Sequence, residues 1–475
     1  MCPKYLNISF VSSFIITFRY IDKMTETSEN FYKLCGRQKQ TAQVVTMKAE
    51  ERSINDGSYI SPPGHLSTVK NLIKNETGLS FNLVTMSGVR MEDGRTWPNA
   101  GKMFSRKVVL KEDNFDTKTL KVLSSFQVTS SSDRTTKGSV IPELINSAYI
   151  DLEPPKSENM HLVIFGGQYV DKYTTSDDLV IIKGPADFSS AVDVTLWKSN
   201  PITYSEFIVP DGWSDGSNIV QKGDVPISRS GAKMGVLGDH GEIKFMVMTG
   251  GFHLPTPGPV KMQAEDSSFF ILKYPEMTWK KLPNLEVLKR NFHGMKVVGN
   301  IVYVLGGWKF ENGVATKLFP LTEVTRVILS DDHKIVNVDT ISLLPSNPET
   351  KIPWISGFSV CGDHDEEEKI YVFSGNLFKD YKADKENLFE FLPPKTNRNI
   401  LAPKSNQLLT INLIGKTISS ESAPQEAGGN CTTMQMIDEG PALVIVSDPG
   451  IWLFSPTSKY TPLKCDLAEE YGFCK

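Results

Sequence analysis

The chain has 475 residues, a formal net charge of −4 and 40% hydrophobic residues. That length and apolar content support a large buried core, either one big domain or about two or three average ones. The slight acidic balance, with no basic stripe and no aromatic-and-basic platform, excludes an electrostatic binder of nucleic acid or of anionic membrane.

Met1 to Lys23 is compositionally unlike the rest. Ile8 to Phe18 is an apolar stretch diluted by Ser9, Ser12, Ser13 and Thr17, preceded by Lys4 and followed by Arg19. Such a stretch has the length of a signal-peptide core and is short for a membrane span. No Ala-x-Ala-like site follows it, and Met24 opens a polar run of the kind that begins cytosolic proteins. We therefore expect residues 1–44 to be a leader outside the fold and the protein to be cytoplasmic. Secretion is the alternative if residues 1–23 act as a signal peptide.

From there the chain reads as strands punctuated by glycine. Phe81-Asn-Leu-Val-Thr-Met-Ser-Gly88 is a first apolar run ending in a glycine. Val89 to Pro98 follows and resembles the Asp-box turn of sialidase-type propellers. Asp93 and Gly94 are adjacent where that motif has a residue between them, so an ordinary glycine turn is expected. Ser124 to Ser139 reads as a Ser/Thr-rich loop. His161-Leu-Val-Ile-Phe-Gly-Gly167 is a second run, followed by strands at Asp178–Lys183 and Val192–Trp197. Val236 to Gly251 is a third, then Phe269–Tyr274 and Met277–Leu282.

The clearest unit is Arg290 to Trp308. His293–Val298 is a strand, Gly299-Asn300 a two-residue turn where positive φ is cheap, and Ile301–Leu305 a β-branched run suited to burial on both faces. Gly306-Gly307 ends it. Val360 to Gly375 repeats the pattern with Ser374 in place of the first glycine, and Ala442 to Gly450 is a degenerate last copy.

This unit resembles a kelch repeat, the blade of a kelch-type (galactose-oxidase-like) β-propeller. Pro226 to Ala232 resembles the Pro-x-x-Arg-x-Gly-His entry of such repeats, with Ala232 where histidine is usual. Trp279, with Leu282 and Pro283 after it, resembles their fourth strand. Kelch repeats run near ~50 residues, so the irregular spacing here implies insertions. The resemblance implies an all-β, six-bladed propeller with four-stranded antiparallel blades over residues 45–467. The blades fall near 59–123, 140–197, 226–282, 290–343, 354–417 and 431–467, with a short tail at 468–475. Gly88, Gly166, Gly167, Gly250, Gly251, Gly306, Gly307 and Gly375 are the expected structural glycines. Either Thr41–Glu50 or Lys459–Cys465 would close the ring.

Chemistry is sparse. The six cysteines form no Cys-x-x-Cys pair and read as reduced thiols. Cys361, His364, Asp365 and Glu366 to Glu368 read as a solvated hairpin rather than a metal site. No Gly-x-Ser-x-Gly elbow, Gly-x-x-x-x-Gly-Lys loop or Gly-x-Gly-x-x-Gly turn occurs. Three Asn-x-Ser/Thr sequons, at Asn7, Asn75 and Asn430, matter only for a secreted protein.

We therefore expect no enzyme, no cofactor and no metal, but a monomeric, non-catalytic scaffold or adaptor for a protein or peptide partner. The alternative is an enzyme using the propeller axis, as a sialidase-like glycosidase or a copper-radical oxidase does. On kelch propellers the loops between strands two and three share a face with the loops between blades. Gln168, Tyr169, Phe252, His253, Leu254, Trp308, Lys309 and Phe310 follow the glycine exits there. Arg229 and Arg290 enter from the inter-blade side and are placed to meet an acidic ligand. Apolar side chains just past strand ends are what interface hot spots use.

Overall fold

A computed structural model describes residues 66–75, 78–86, 89–92, 95–98, 103–111, 129–130, 136–138, 144–169, 174–199, 220–238, 243–253, 269–311, 314–362, 369–378, 405–422, 431–437, 442–447 and 450–454. The leader, Gly88, Leu254, both expected ring-closing segments and the tail lie outside them.

The described chain is all-β, with one three-residue 3-10 turn at Glu286–Leu288. Its antiparallel sheets form a propeller-like arrangement. Sheet one pairs Leu66–Asn75, Gly78–Met86, Met103–Lys111 and the short Thr129–Ser130 in that order. Sheet two runs Ala148–Asp151, Asn159–Phe165, Leu179–Pro185, Val192–Trp197, and sheet three Lys233–Leu237, Lys244–Thr249, Phe269–Tyr274, Thr278–Leu282. Sheet four runs Gly294–Val298, Ile301–Leu305, Glu323–Leu329, Ile335–Ser342. Sheet five runs Ser359–Gly362, Lys369–Phe373, Gln407–Asn412, Thr417–Ser422. Sheet six has three strands, Cys431–Ile437, Ala442–Ser447 and Gly450–Phe454. Sheets two to five are thus four complete blades where six equivalent ones were expected. In sheet one the fourth strand is two residues long, and sheet six has no fourth strand among the described residues.

Each meander is antiparallel because two- to four-residue turns or longer loops return the chain beside itself, as Gly299-Asn300 does in sheet four. The outer edges are then covered. Thr136–Gly138, Lys222–Gly223 and Leu344–Pro345, each on the way into a blade, add a short parallel strand to that blade's outermost strand. Their backbone groups occupy an edge that would otherwise present unpaired N–H and C=O groups.

The core is divided between neighbouring sheets. Leu66, Val84 and Met103 of sheet one pack on Met160, Leu162 and Ile164 of sheet two. Val163 and Phe165 pack on Met246, Met248 and Trp279 across the next seam. Val247 and Ile271 meet Val302 and Val304. Tyr303 and Leu305 meet Val372 and Ile411, and Tyr371 and Phe373 meet Met434 and Ile445. Central strands therefore bury both faces, which is why Ile301–Leu305 reads as an almost unbroken apolar run. Cys431–Ile437 lies beside Ser359–Gly362 on one side and Leu66–Asn75 on the other.

Sheet one is tied to sheet two by polar bonds as well. Lys70 is fully buried; its ammonium donates to Asp151 Oδ2 at 2.8 Å and to the Glu153 and Pro154 carbonyls at 2.6 and 3.2 Å. Burial lowers its pKa against the raising effect of Asp151. All three donors are used, the condition under which a buried lysine is tolerated.

The repeat is written in backbone geometry just before the inner strands of sheets two to five. Residues 146, 231, 292 and 357 all have positive φ: Asn146 54°, Gly231 72°, Phe292 51°, Gly357 66°. Their peptide groups bond from blade to blade. Gly231 N–H donates to the Asn146 carbonyl at 2.9 Å, Phe292 N–H to the Gly231 carbonyl at 3.1 Å, and Gly357 N–H to the Phe292 carbonyl at 2.9 Å. The exit glycines add a second set, with Gly167 N–H donating to Arg229 O at 2.8 Å and Gly251 N–H to Arg290 O at 3.0 Å.

Gly250 shows why glycine is needed at the exit. Its φ is +71°, and a Cβ there would collide with the Arg290 carbonyl oxygen and lie 2.6 Å from His293 Cε1. In sheet five Ser374 takes the same role at φ +68°. The left-handed region costs a side chain about 1–2 kcal/mol, and forced overpacking adds about 1–3 kcal/mol. Gly250→Ala is therefore expected to destabilise by about 2–5 kcal/mol. Ser374→Gly, where lost strain and gained unfolded-state entropy oppose, should shift stability by less than about 1 kcal/mol. Urea denaturation of both variants checks this; equal effects would contradict it.

Candidate functional site

Entry and exit segments pair on one face. Ile145 pairs with Gln168 and Ser356 with Asn376, while Ser230 bridges Phe252 and Asn291 bridges Trp308. The segments expected to share a face are thus hydrogen-bonded neighbours, and the residues chosen from the sequence sort by depth.

Five of them point inward. Gln168, Phe252, Trp308, Arg229 and Arg290 are each less than 5% exposed. The arginines, expected as ligands for an acidic partner, are committed to the fold instead. Arg229 Nε donates to Ile227 O and Nη1 to Gly250 O, both at 3.1 Å, with its guanidinium 4.9 Å from the Phe270 ring centre. Arg290 Nε donates to Val287 O at 2.7 Å, Nη1 to Gly306 O at 3.4 Å and Nη2 to Thr325 Oγ1 at 2.7 Å, above the Phe319 ring at 3.8 Å. Burial pulls the Arg290 pKa down to about 10, with Glu323 opposing. In each case the entry arginine latches the exit-glycine carbonyl of its own blade.

The expected long loop after Gly307 is also ordered: Trp308–Glu311 pairs with Val314–Leu318 as a hairpin. Trp308, the first residue of that hairpin, is buried. Phe310 is on that strand, with its side chain outside the described residues. Val89–Glu92 and Arg95–Pro98 pair in a similar way after sheet one's second strand, and Asp93-Gly94, where an ordinary glycine turn was expected, lies outside the described residues.

Tyr169, His253 and Lys309 are half-buried. Tyr169 Oη donates to Asp178 Oδ2 at 2.8 Å, and Ser176 Oγ to Tyr169 Oη at 3.3 Å. Burial first, then the Asp178 carboxylate, push the phenol pKa up. Lys198 pairs with the other Asp178 oxygen at 2.7 Å. Next to this, His253 Nδ1 lies 2.9 Å from the Ser228 carbonyl and 2.7 Å from Ser228 Oγ, which is 2.9 Å from Thr175 Oγ1. With Nδ1 protonated the ring donates to the Ser228 carbonyl; in the other tautomer Nδ1 accepts from Ser228 Oγ. Either way the cluster orients the imidazole. Lys309 lies apart, paired with Glu286 at 2.7 Å.

Phe292 was not singled out from the sequence. It is half-buried on this face, 5.9 Å from Phe252 and 5.7 Å from Trp308 between ring centres, so the two buried aromatics flank it. Its φ of 51° is unusual for a bulky residue, and glycine serves at the same position in sheets three and five. No sequence signal marks a positive φ at a non-glycine, although alignment of the entry segments sets Phe292 against Gly231 and Gly357.

On the outer flank, Lys183, Asp193, Trp197, Tyr274 and Met277 line a groove of about 510 Å³ between sheets two and three. His161 meets Tyr274 edge-on at 5.0 Å, and burial, then Lys183, hold its pKa down at about 4. Among the described residues no group of three His, Cys, Asp or Glu is placed to hold a metal, and no helix is long and apolar enough to cross a membrane. Cys361 is buried as a free thiol.

No family model and no curated protein matches the chain. Among solved structures it resembles YjhT at 12% identity and TM-score 0.44, over 84% of this chain and 97% of that one. It also resembles a chain of the RAG complex with one melted and one unmelted RSS at 14% identity and TM-score 0.43, over 86% and 96%. Likeness at this level says nothing of activity or partner.

Burial turns the inward residues into stability determinants. Trp308→Ala is expected to cost about 3–5 kcal/mol. Arg290→Lys, which keeps the charge but loses the fork, should cost at least about 2 kcal/mol. Unchanged denaturation midpoints would show that both side chains face solvent.

Proposed function

We propose that this chain is a non-catalytic interaction platform, a kelch-type propeller of six blades that binds a protein or peptide partner on its entry face. Three features support the kelch assignment: the glycine exits, the Pro226–Ala232 entry and the Trp279–Leu282 fourth strand. The count of six is supported by the contiguity of the inner strands, with sheet six between sheets five and one.

The observation that carries the binding reading is Phe292. A bulky aromatic held in a left-handed conformation costs about 1–3 kcal/mol, where the neighbouring blades use glycine. The fold offsets that cost with rings on either side, and the result is a partly exposed aromatic on a rigid base. Backbone strain retained at a half-buried surface position supports a functional reading, and rigid aromatic anchors are what hot spots are made of. Tyr169 and His253 extend the face across sheets two and three as oriented polar groups.

A displayed peptide library panned on the protein tests this. Enriched peptides should carry an aromatic or aliphatic anchor and bind Phe292→Gly more weakly by on the order of 30-fold. Strain relief and lost ring contacts oppose, so the stability of Phe292→Gly should stay within about 2 kcal/mol of the parent. No enrichment, or equal binding to a folded variant, would refute the reading.

A further inference from the structure

Sheet four is the exception among the complete blades at its outer edge. In sheets two, three and five the segment leading into the blade adds a short parallel strand to the outermost strand. In sheet four the outermost strand is Ile335–Ser342, eight residues long, and no strand among the described residues pairs with its outer side. Among the described residues its backbone groups bond only within their own sheet. The segment leading into sheet four is occupied elsewhere. It forms the 3-10 turn Glu286–Leu288, with Leu288 buried and Leu285 packed in the seam between sheets three and four.

A row of unpaired N–H and C=O groups on an exposed strand is a template for another strand. The sequence of this strand says which. Ile335-Val-Asn-Val-Asp-Thr-Ile341 reads nearly the same in both directions about Val338. Lay it antiparallel on a second copy, with Val338 opposite Val338 of that copy. Asn337 then faces Asp339 twice, and Val336 faces Thr340 twice. Each opposite pair has the same parity along the strand, so its side chains share a sheet face.

The facing groups are complementary. Asn337 has an amide to donate and Asp339 a carboxylate to accept. Within one strand Asn337 Nδ2 already lies 3.2 Å from Asp339 Oδ2. Two β-branched valines meet at the axis, a favourable cross-strand pair. The charge of Asp339 is compensated in each copy, because Arg326 Nε and Nη2 donate to its two oxygens at 3.0 and 2.6 Å. Centring one residue later would set Asp339 against Asp339, so charge selects the register. A bulge between Ile335 and Asn337 limits the regular pairing to the residues from Asn337 on. Beyond it, Thr340 of the second copy covers Val336, which is 66% exposed.

We propose that Ile335–Ser342 is the interface of a symmetric dimer, in which two copies pair this edge antiparallel about Val338. The contact is isologous and closes after two copies, so it does not propagate into fibres. Its regular part is short, and association is correspondingly weak, roughly micromolar. The proposal departs from the monomer expected from the sequence. Antiparallel pairing also turns one propeller over relative to the other. Their entry faces point in opposite directions, and both stay open.

Sedimentation velocity of the full chain over a concentration series tests this. The weight-average mass should rise from monomer towards dimer and stop there. Val338→Lys sets two ammonium groups face to face and should weaken the dimer by about ten-fold or more. Val338 also packs against the seam, so the exposed Thr340→Lys is the second variant and should weaken it several-fold. The register is tested by Val338→Cys: opposite Cα atoms ~4.5–5.5 Å apart suit a disulfide. An added oxidant should therefore yield covalent dimer well above the wild-type background, and Asn337→Cys should not. A monomer at every concentration would overturn the proposal and leave the edge to an extended peptide of another protein. A dimer equally strong in the folded lysine variants, or no cross-linking of Val338→Cys above background, would overturn it too.

Discussion

The structure depends on bringing inner strands of successive blades close enough for their entry peptides to bond to one another. Asn146, Gly231, Phe292 and Gly357 do this in a left-handed conformation, in which the carbonyls of the first three accept from the N–H of the next blade's residue. Once those peptides are in place, the exit segments dock closely beside them, at Gly250 so closely that a Cβ would collide, while Ser374 of sheet five carries one at the same place. The apolar seams then fill themselves, because each central strand has a neighbour on both faces. Burial drives the assembly. The backbone bonds set its angle and spacing, and a non-directional force does not.

That division of labour explains which parts were legible in the sequence. Glycine doublets after apolar runs were readable because positive φ and close approach leave no other residue as good, and strands such as Phe269–Tyr274 and Ile301–Leu305 fall where the pattern placed them. Arg229 and Arg290 were misread as ligands because their partners are main-chain carbonyls of Gly250 and Gly306, which carry no sequence signature. Trp308 was misread for a related reason. An aromatic just past a strand end looks exposed until it is known to start a hairpin, Trp308–Glu311 with Val314–Leu318, and to be buried with its ring stacked on Phe292. The blade count was legible only in part, since sheets one and six depart from the four-strand meander that the glycine exits advertise.

Phe292 was invisible for a different reason. It is defined by comparison between blades rather than by its own neighbours in the chain, and it stands out because two other blades have glycine there. A repeat fold supplies its own reference state, and a departure from it that retains strain is a candidate for adaptation to hold something.

The most direct test of the account is amide hydrogen exchange at Gly231, Phe292 and Gly357. If the entry peptides lock the blades together, these three amides should exchange only through global unfolding, as slowly as Val302 and Val304 in the central strand of sheet four. Exchange at the rate of exposed loop amides, with the central strands still protected, would mean that the blades stand without the hydrogen bonds between entry peptides and that their central place in this account is wrong.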